Sequence, residues 1–480
     1  MSVSARLVKQ VHNRRRPQVS YAHPDGPVAG ANAMRDHLAS VYSGSGLPST
    51  RPPPLPPPDD HVPFDLASVS EDDPSGSGLG LGLGSGLGSG SGLSSFSADS
   101  VADTMRRLPL RKAPGSDHLR TEMLIPIRKQ VAAILARLFD ICCQWSYTPS
   151  LWRHAQVVPI YKKGDPHQPS NFRPISLTSI IRKLFEMCLF PHLEDVSPPL
   201  DIAQGGFRPQ RSALDQALCL HDLIQEYYRR KRHFPVVAFL DIKAAYDTVD
   251  RRVIWQSLLA VSSPFALVSI LAHLFDDVSI SVLMSNQVST PFTPSTGVLQ
   301  GSVLSPHLYS IYINTLPALL RSAATRTTTM VSSLSPSGPP GPPDSGLGLS
   351  PGLPFGPTLD VSSLSSSPTA INSLLYADDV AILGSPSEVK QMLDLAQIHS
   401  QVLGYRWSPT KCAILNAPDP TSSRYVRPTL YDEDIPSVDE FVYLGVPFVR
   451  NGISPSRLVA HRKPGAQLKM AQLSAIGANR

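Results

Sequence analysis

The spacing of hydrophobic residues over positions 121–145 is typical of an amphipathic helix. Apolar side chains recur there at steps of three and four residues, so they share one helical face. Similar spacing predicts further helices, and short β-branched apolar runs predict buried strands. Helices are predicted in the second part of 171–193, over 214–232, in 302–320 after its first turn, and over 386–403. Strands are predicted at the start of 155–166, at the start of 234–250 and over 412–415. Hairpins are predicted over 373–384 and 441–448.

The order of these elements indicates the fold class. Strands and helices are interleaved, but they do not repeat as the regular strand–helix–strand units that build a parallel sheet. The chain is therefore predicted to be an α+β protein.

Three aspartates interrupt apolar strands. Asp241 ends the strand that opens 234–250, and Asp378 and Asp379 lie at or near the tip of the hairpin over 373–384. Stripping water from an unpaired carboxylate is costly, so a cation is expected beside them. Oxygen ligands favour Mg²⁺, which completes its coordination shell with substrate phosphates. A turn or capping role is the alternative for each aspartate, and Asp241 considered alone fits either interpretation.

Proline and glycine are concentrated in a few tracts. Of the 48 Pro and 31 Gly residues, many lie in a proline cluster at 52–58, a Gly/Leu/Ser repeat at 76–93 and a Ser/Pro/Gly-rich stretch at 321–370. Ordering so much glycine costs too much conformational entropy without a hydrophobic face to bury. Residues 1–100 are therefore predicted to be largely disordered, with order beginning near Ser97, and 321–370 to be a disordered insertion.

Charge is distributed unevenly along the chain. The net charge is +5, but residues 101–232 contain 20 Lys and Arg against 12 Asp and Glu, a net charge of +8. A basic block of this kind suits a polyanionic partner. A basic, solvated surface without a partner explains it equally well.

Several classes of protein are disfavoured by what the sequence lacks. The five cysteines show no CxxC pair and no Cys/His spacing, so they are expected to be reduced and buried in a core. No apolar run has the length of a membrane span, and no signal-peptide core is present at the N-terminus. An intracellular protein that does not act in a membrane is expected, and the sequence does not decide between nucleus and cytoplasm.

A series of motifs resembles the reverse transcriptase of a non-LTR (LINE-type) retrotransposon. YADD at 376–379 matches the YxDD box of reverse transcriptases, and LDIKAAYDTVDR at 240–251 matches the D-x-K-x-A-[FY]-D box. Other motifs of that family are resembled, in the expected order, by RKAPGSDHL (111–119), VVPIYKKGDP (157–166), NFRPISLTSIIRKLFE (171–186), QGGFRPQRSALDQ (204–216), GVLQGSVLSP (297–306), residues 407–415 and YLGV (443–446). Together they cover roughly residues 105–450.

The resemblance implies chemical roles for the matching residues. Asp241, Asp378 and Asp379 resemble the metal ligands, and Tyr246 resembles the steric gate that rejects ribonucleotides, with a core tyrosine as the alternative. Lys411 resembles a general acid for pyrophosphate, and a surface lysine is the alternative. The implied nucleotide contacts are Lys162, Lys163, Arg173, Ile242 through its carbonyl, Tyr246, Gln300 and Gly301, with the choice between the two lysines left open. The implied nucleic-acid contacts are Arg208, Arg211, Tyr443, Leu444 and Gly445.

The resemblance also implies an overall function. It predicts an RNA-directed DNA polymerase with a right-hand fold: fingers at 101–233, a palm at 234–450 and a truncated C-terminal tail at 451–480 in place of a full thumb. The implied cofactor is a pair of Mg²⁺ ions, with Mn²⁺ as an alternative, and the implied partners are an RNA template, a DNA primer and deoxynucleoside triphosphates. Two alternatives stay open: a reverse transcriptase of the group II intron type, and a truncated, inactive remnant that only binds nucleic acid.

Overall fold

The computed structural model describes residues 21, 23–49, 51–55, 95–322, 371–418 and 427–474. The Gly/Leu/Ser repeat at 76–93 and positions 323–370 of the predicted insertion lie outside these residues. Positions 321 and 322 belong to a helix, so the predicted insertion does not begin at 321. The boundaries of the fingers and the palm stay predictions.

Helices and strands follow one another in an irregular order. The helices are α1 (Pro27–Val41), α2 (Ala98–Arg107), α3 (Thr121–Leu124), α4 (Arg128–Gln144), α5 (Ile180–Val196), α6 (Ala213–Lys231), α7 (Arg251–Ala260), α8 (Phe265–Asp276), α9 (Ser305–Ile313), α10 (Pro386–Leu403) and α11 (Pro455–Ser474), and 315–322 is also helical. The strands are β1 (His154–Tyr161), β2 (Phe172–Leu177), β3 (Val236–Asp241), β4 (Ser279–Met284), β5 (Gln287–Val288), β6 (Ser373–Tyr376), β7 (Asp379–Gly384), β8 (Ala413–Leu415), β9 (Thr429–Leu430), β10 (Glu433–Asp434), β11 (Ser437–Val438), β12 (Glu440–Tyr443), β13 (Val446–Val449) and β14 (Gly452–Ile453). Helices packed with mostly antiparallel sheets confirm the α+β prediction.

A five-stranded sheet with the order β11-β8-β3-β7-β6 forms the centre of the fold. Side chains of β3 alternate between its two faces: Ala238 and Leu240 join the main core, whereas Val237 and Phe239 pack with residues of α6 and the β12–β13 hairpin. Burial on both faces explains why the strand reads as an unbroken apolar run.

A second sheet, with the order β2-β1-β4-β5, carries the N-terminal helix. Helix α1 contacts β4 and β5, and its side chains Ala31, Met34 and Leu38 lie in one core cluster with residues of β1 and β4. The expectation that order begins near Ser97 is therefore wrong. A spacing of three and four residues gives this segment one face to bury, and the surface that buries it comes from β1 and β4, far along the chain.

The helix predicted over 386–403 is confirmed with the same bounds. Its first turn is closed by a capping box, in which Ser385 Oγ accepts from the Glu388 amide and the Glu388 carboxylate accepts from the Ser385 amide. Gly404 adopts a φ of +85°, which ends the helix in the left-handed conformation that glycine tolerates.

The helix predicted over 121–145 is divided in two. A 3₁₀ turn at Ile125–Ile127 separates α3 from α4. This turn contains Pro126, which has no amide hydrogen to donate to a continuing α-helix. A helix is therefore confirmed over 128–144, but its predicted continuity from 121 is wrong. Two apolar side chains of the predicted face, Ile134 and Ile141, are exposed, whereas Ala132, Ala136 and Phe139 are buried.

The C-terminal tail contains a helix that the sequence analysis did not predict. Helix α11 contacts β13, and the Arg462 guanidinium donates to the Gly445 carbonyl at 3.2 Å. The tail therefore packs against the β12–β13 hairpin through at least this part of its length.

Cysteine burial agrees with expectation at four of the five positions. Cys142, Cys143, Cys188 and Cys412 are buried and unbridged, whereas Cys219 is exposed on α6, so the expectation of a core position is wrong for that residue. Within the described ranges, none of the helices combines the length and the apolar character needed to cross a membrane.

Candidate active site

The three predicted acidic residues meet at one end of the central sheet. In the antiparallel ladder between β3 and β7, Asp241 is the direct partner of Asp379. Direct partners point to the same face of a sheet, with Cβ atoms about 4.5–5.5 Å apart. Asp378 lies in the two-residue turn that joins β6 to β7, next to this pair. Residues separated by more than a hundred positions in the chain are thus brought together by strand register.

The turn that carries Asp378 is held from one side by the 204–216 motif. Ala377 adopts a φ of +59°, and its amide donates to Gln204 Oε1 at 3.1 Å. The Gly205 amide donates to the Leu375 carbonyl at 2.8 Å, and a Cβ on Gly206 would lie 2.3 Å from the Ala377 nitrogen. The absence of a side chain at Gly206 therefore allows this segment to lie directly against the acidic hairpin.

The electrostatics of the carboxylates are unfavourable without a cation. Desolvation, followed by the charges of Asp378 and Asp241, raises the pKa of Asp379 from 3.8 to about 6. Desolvation also raises the pKa of Asp378, and the charge of Asp241 acts in the same direction. These carboxyl groups are therefore destabilised in their ionised form, and a positive charge beside them would stabilise that form.

Asp241 has one oxygen without a hydrogen bond. Its Oδ2 atom is buried and accepts no hydrogen bond, and the nearest cation, Lys411 Nζ, is 3.5 Å away. This oxygen and the neighbouring carboxylates suit a hard divalent cation. Across the described ranges, however, no three His, Cys, Asp or Glu side chains are already grouped tightly enough to hold a metal ion. The aspartates are near one another without forming a finished coordination shell.

Three cationic residues face the carboxylates. Arg173 lies on β2 opposite Ile160 of β1, and its charge acts on Asp378 together with that of Lys411. Burial, with the charge of Arg173 acting in the same direction, lowers the pKa of Lys162, and the charges of Asp247 and Asp241 oppose this. Lys163, like Lys162, is exposed. What marks out Lys162 is therefore the action of the Asp247 and Asp241 charges on it.

Tyr246 lies between two other aromatic rings. Its ring stacks on the fully buried Tyr309 at 5.1 Å between centroids and 6° between planes, and Phe207 meets it edge-on at 6.3 Å. Burial, with the negative charge of Asp378 adding to it, raises the pKa of Tyr246, so its hydroxyl stays protonated at neutral pH. The stacking fixes the plane of the ring, while part of the residue remains accessible.

Gln300 and Gly301 are held by backbone and side-chain contacts. The Gln300 carbonyl accepts from the Ser176 amide of β2 at 2.8 Å, and its Nε2 donates to Asp247 Oδ1 at 2.9 Å. Gly301 has a φ of +138°, and a Cβ there would lie 2.4 Å from the Ser176 carbonyl oxygen. Only glycine satisfies both the backbone angle and the close approach of β2.

A buried ion pair anchors the residues that follow this loop. Glu186 of α5 accepts from Ser302 Oγ at 2.9 Å and from the Val303 amide at 2.6 Å, and its second oxygen binds Arg182 Nε at 2.7 Å. Arg182 also donates to the Trp152 carbonyl at 2.9 Å. Both side chains are fully buried, and the extra hydrogen bonds offset part of the cost of burying the pair, although Arg182 Nη2 has no hydrogen-bond partner.

The predicted nucleic-acid contacts are spread over two places. Arg208 donates to the carbonyls of Asp201 and Gln204 at 3.2 and 3.3 Å, so part of its guanidinium supports its own loop, and Arg211 is exposed. Leu444 and Gly445 form the two-residue turn of the β12–β13 hairpin, both with positive φ. Tyr443 is buried, with a hydroxyl that has no hydrogen-bond partner. Arg208 and Arg211 therefore belong to the segment that lies against the acidic turn, and in the second place the pKa of Tyr443 is raised by burial and by the charge of Asp379.

The sequence analysis missed several residues that support the site. Asp247 is buried between Gln300 and Tyr42, and Gln204 binds the acidic turn. A signal for both was present, because each lies inside a motif that resembles the family, at the last position of the D-x-K-x-A-[FY]-D box and at the start of QGGFR. Tyr42 had no such signal.

Comparison with known proteins identifies the family. The family described as "Reverse transcriptase (RNA-dependent DNA polymerase)" matches residues 160–448, more than half of the chain. The chain belongs to the reverse transcriptase family. The resemblance of its motifs to reverse transcriptases of non-LTR retrotransposons is thereby confirmed.

Two similar reverse transcriptases come from Drosophila melanogaster. "Probable RNA-directed DNA polymerase from transposon BS" is 30% identical over 227 residues, covering 46% of this chain and 24% of that protein. "RNA-directed DNA polymerase from mobile element jockey" is 31% identical over 235 residues, covering 47% of this chain and 25% of that protein. The match therefore spans about a quarter of the length of these relatives.

Among solved structures, apo telomerase from Candida tropicalis, truncated from its C-terminal domain, is 12% identical to this reverse transcriptase. The match covers 68% of this chain and 60% of that one, with a TM-score of 0.38.

Proposed function

We propose that this reverse transcriptase is an RNA-directed DNA polymerase of a non-LTR retrotransposon, extending a DNA primer on an RNA template with deoxynucleoside triphosphates. The observation that carries the proposal is the register of β3 and β7, which pairs Asp241 with Asp379 beside the turn of Asp378. Family membership supports it independently. In this reaction the primer 3′-hydroxyl attacks the α-phosphate and pyrophosphate leaves.

The residues that would hold the cofactor are Asp241, Asp378 and Asp379, with the carbonyl of Ile242 as a further ligand. The proposed cofactor is a pair of Mg²⁺ ions, with Mn²⁺ as an alternative. When bound, such ions supply neutralisation of the phosphate charge and activation of the attacking hydroxyl. The buried oxygen of Asp241 that accepts no hydrogen bond and the raised pKa values of the other two carboxyl groups support this assignment.

The cationic residues are proposed to bind the triphosphate. Arg173 presents a planar fork that suits two phosphate oxygens, and Lys162 provides a second charge from the end of β1. The interaction of Lys162 with Asp241 and Asp247 supports its choice over Lys163. Lys411, 3.5 Å from Asp241, is proposed to donate a proton to the departing pyrophosphate.

Selection of the nucleotide is assigned to Tyr246 and to the loop at Gln300 and Gly301. The Tyr246 ring would lie beneath the sugar and leave no room for a 2′-hydroxyl, and its stacking on Tyr309 keeps it in one orientation. Gln300 and Gly301 would pack against the nucleotide and the template base. The backbone conformation that requires glycine at 301 supports a close approach there.

The nucleic acid is proposed to contact residues on both sides of the acidic cluster. Arg208 and Arg211 would bind template phosphates, and the turn Tyr443–Gly445 would contact the primer end. Fingers at 101–233 and a palm at 234–450 are the corresponding domains. Phosphate contacts of this kind carry no sequence information, so binding should weaken as salt is raised.

Primer extension tests the proposal. The parent protein, an RNA template, a DNA primer, Mg²⁺ and deoxynucleotides are compared with the Asp378→Asn variant and with Asp222→Asn, an exposed aspartate on α6, as the matched control. Extension by the parent and the control, with a loss of at least about a hundredfold in Asp378→Asn, is the expected result. A folded parent that binds the primer–template duplex but never extends it would instead indicate an inactive nucleic-acid-binding remnant.

A further inference from the structure

The N-terminal segment reaches the loop that carries Gln300. Tyr42 follows the last residue of α1 and lies outside the part of the chain matched by the family, 160–448. Its carbonyl accepts from the amides of Ser295 and Thr296 at 2.9 and 3.2 Å. A Cβ on Gly297 would lie 2.5 Å from its ring, so the tyrosine is packed directly against this loop.

The hydroxyl of Tyr42 shares an acceptor with Gln300. Tyr42 donates to Asp247 Oδ1 at 2.7 Å, and Gln300 Nε2 donates to the same oxygen at 2.9 Å. Thr296 Oγ1 donates to the Asp247 carbonyl at 2.9 Å. Asp247 is 6% exposed and Tyr42 is 1% exposed, so water cannot readily replace a lost donor.

This arrangement fixes the orientation of the Gln300 amide. A carboxylate accepts hydrogen bonds, so the amide NH₂ group must face Asp247 and the amide oxygen must point away from it. Without the Tyr42 hydroxyl, the buried Asp247 carboxylate accepts one hydrogen bond fewer. Its position, and with it the position of the Gln300 amide, is then less fixed. The consequence falls on the binding of the nucleotide rather than on the aspartates that carry the reaction.

We propose that Tyr42 is a positioning residue of the deoxynucleotide site, holding Gln300 in place through Asp247. The segment 23–49 is then a working part of the polymerase and not only a structural support. This inference rests on the proposed function, in which Gln300 contacts the incoming nucleotide.

The first measurement is the dependence of primer extension on deoxynucleotide concentration. Tyr42→Phe removes only the hydroxyl, and Tyr405→Phe is a matched control, because Tyr405 is also buried and its hydroxyl is bonded to His399 at 2.9 Å. We expect Tyr42→Phe to raise KM for the deoxynucleotide by about three- to tenfold with little change in kcat. A merely structural role would lower the melting temperature without separating KM from kcat. A KM equal to that of Tyr405→Phe would overturn the proposal.

A double-mutant cycle tests whether the effect passes through Gln300. In the Gln300→Ala background, Tyr42→Phe is expected to have no additional effect on KM. If Tyr42→Phe raises KM by the same factor with and without Gln300, the coupling through Asp247 is refuted.

Hydrogen–deuterium exchange provides a readout that needs no activity. Tyr42→Phe is expected to accelerate exchange of the amides in residues 295–301, and Tyr405→Phe is not. Unchanged exchange in that segment would refute the contact even in an active enzyme. If Tyr42→Phe accelerates exchange but the parent protein does not extend primers, the contact between Tyr42 and the loop is supported. The proposed polymerase function is then the part that is wrong.

Discussion

At the scale of single residues, the acidic cluster is unfavourable for stability when no cation is beside it. Asp379 faces Asp241 across the β3–β7 ladder, and desolvation and the two neighbouring carboxylates raise its pKa to about 6. A structural role would have favoured partners for each carboxylate. Function and stability are therefore opposed at this position.

The pH dependence of stability follows from that shift. Below about pH 3.8 both the folded and unfolded states carry the Asp379 proton, and between pH 3.8 and about 6 the folded state binds more protons. The free energy of unfolding therefore falls as pH rises through this window, and the full penalty is present above it. Asp379→Asn is expected to raise the melting temperature of the metal-free protein at pH 8, with an advantage that shrinks towards pH 5.

Thermal unfolding at several pH values, with and without Mg²⁺, measures this effect. Mg²⁺ is expected to stabilise the parent more than the Asp379→Asn variant, because the ion relieves the repulsion that the variant has already lost. A variant that melts below the parent at every pH would contradict the interpretation of the cluster.

The gate assigned to Tyr246 gives a second prediction at this scale. Tyr246→Val should admit ribonucleotides and increase their incorporation relative to deoxynucleotides by about 10- to 100-fold, the range expected when an overpacked contact is removed. Tyr246→Phe keeps the ring on Tyr309 and should retain the discrimination. Competitive primer extension with ribonucleotide and deoxynucleotide measures the ratio. Equal ratios in the parent and Tyr246→Val would remove this tyrosine from the gate role.

At the scale of elements, the site depends on close contacts between loops and strands. The 204–206 segment lies against the β6–β7 turn, and Gly301 lies against β2. In each case a Cβ on the glycine, Gly206 or Gly301, would collide with the backbone that it contacts. Helix α5 binds the residues after Gly301 through Glu186. The 204–206 segment is thus held by the hairpin that carries Asp378 and Asp379, whereas the loop at Gly301 is held by β2 and α5, which carry none of the three acidic residues.

Gly301 gives the prediction at this scale. Gly301→Ala adds a Cβ at 2.4 Å from the Ser176 carbonyl oxygen in a backbone conformation that alanine rarely adopts, so the loop must move. We expect the free energy of unfolding to fall by about 1–3 kcal/mol and primer extension to fall with it. Gly46→Ala is the control, because its Cβ would be 3.5 Å from the nearest atom and its φ is not positive.

Chemical denaturation and primer extension of both variants decide the question. The control should stay within about 0.5 kcal/mol of the parent. If Gly301→Ala is as stable and as active as the control, the contact with β2 does not shape the site.

At the scale of the whole molecule, the two sides of the segment 323–370 lie next to each other. Asn372 Nδ2 donates to the Leu320 carbonyl at 2.9 Å, and the Leu383 amide donates to the Asn372 carbonyl at 2.9 Å. The chain therefore leaves and re-enters the described fold at adjacent points beside the acidic hairpin.

Replacing residues 323–370 with a short Gly/Ser linker should preserve the fold and the activity. Shortening the connection about eightfold lowers the entropic cost of closing the loop on folding, and this stabilises the protein by at most about 2 kcal/mol. Chemical denaturation and primer extension of the shortened chain provide the test. Loss of both stability and activity would mean that the replaced residues contribute contacts of their own.

Local sequence determined several elements by itself. Helix α10 was predicted with its observed bounds because Ser385, Glu388 and Gly404 encode its two ends within the helix and its flanking residues. The hairpin of β6 and β7 was predicted from two apolar runs around a short turn, and α6 differs from its prediction by one residue at each end. The motifs around the acidic residues determined the family. In each case the information lies within a few consecutive residues.

Only the tertiary structure decided how distant segments meet. The register of β3 against β7, which pairs Asp241 with Asp379, depends on packing against both faces of the central sheet. Helix α1 has the spacing of a buried face, but its surroundings are rich in proline and glycine, and its partner β4 lies more than two hundred residues later. The contact of Tyr42 with Asp247 cannot be predicted from the residues around Tyr42 or from those around Asp247, because it forms only where these two distant segments pack together.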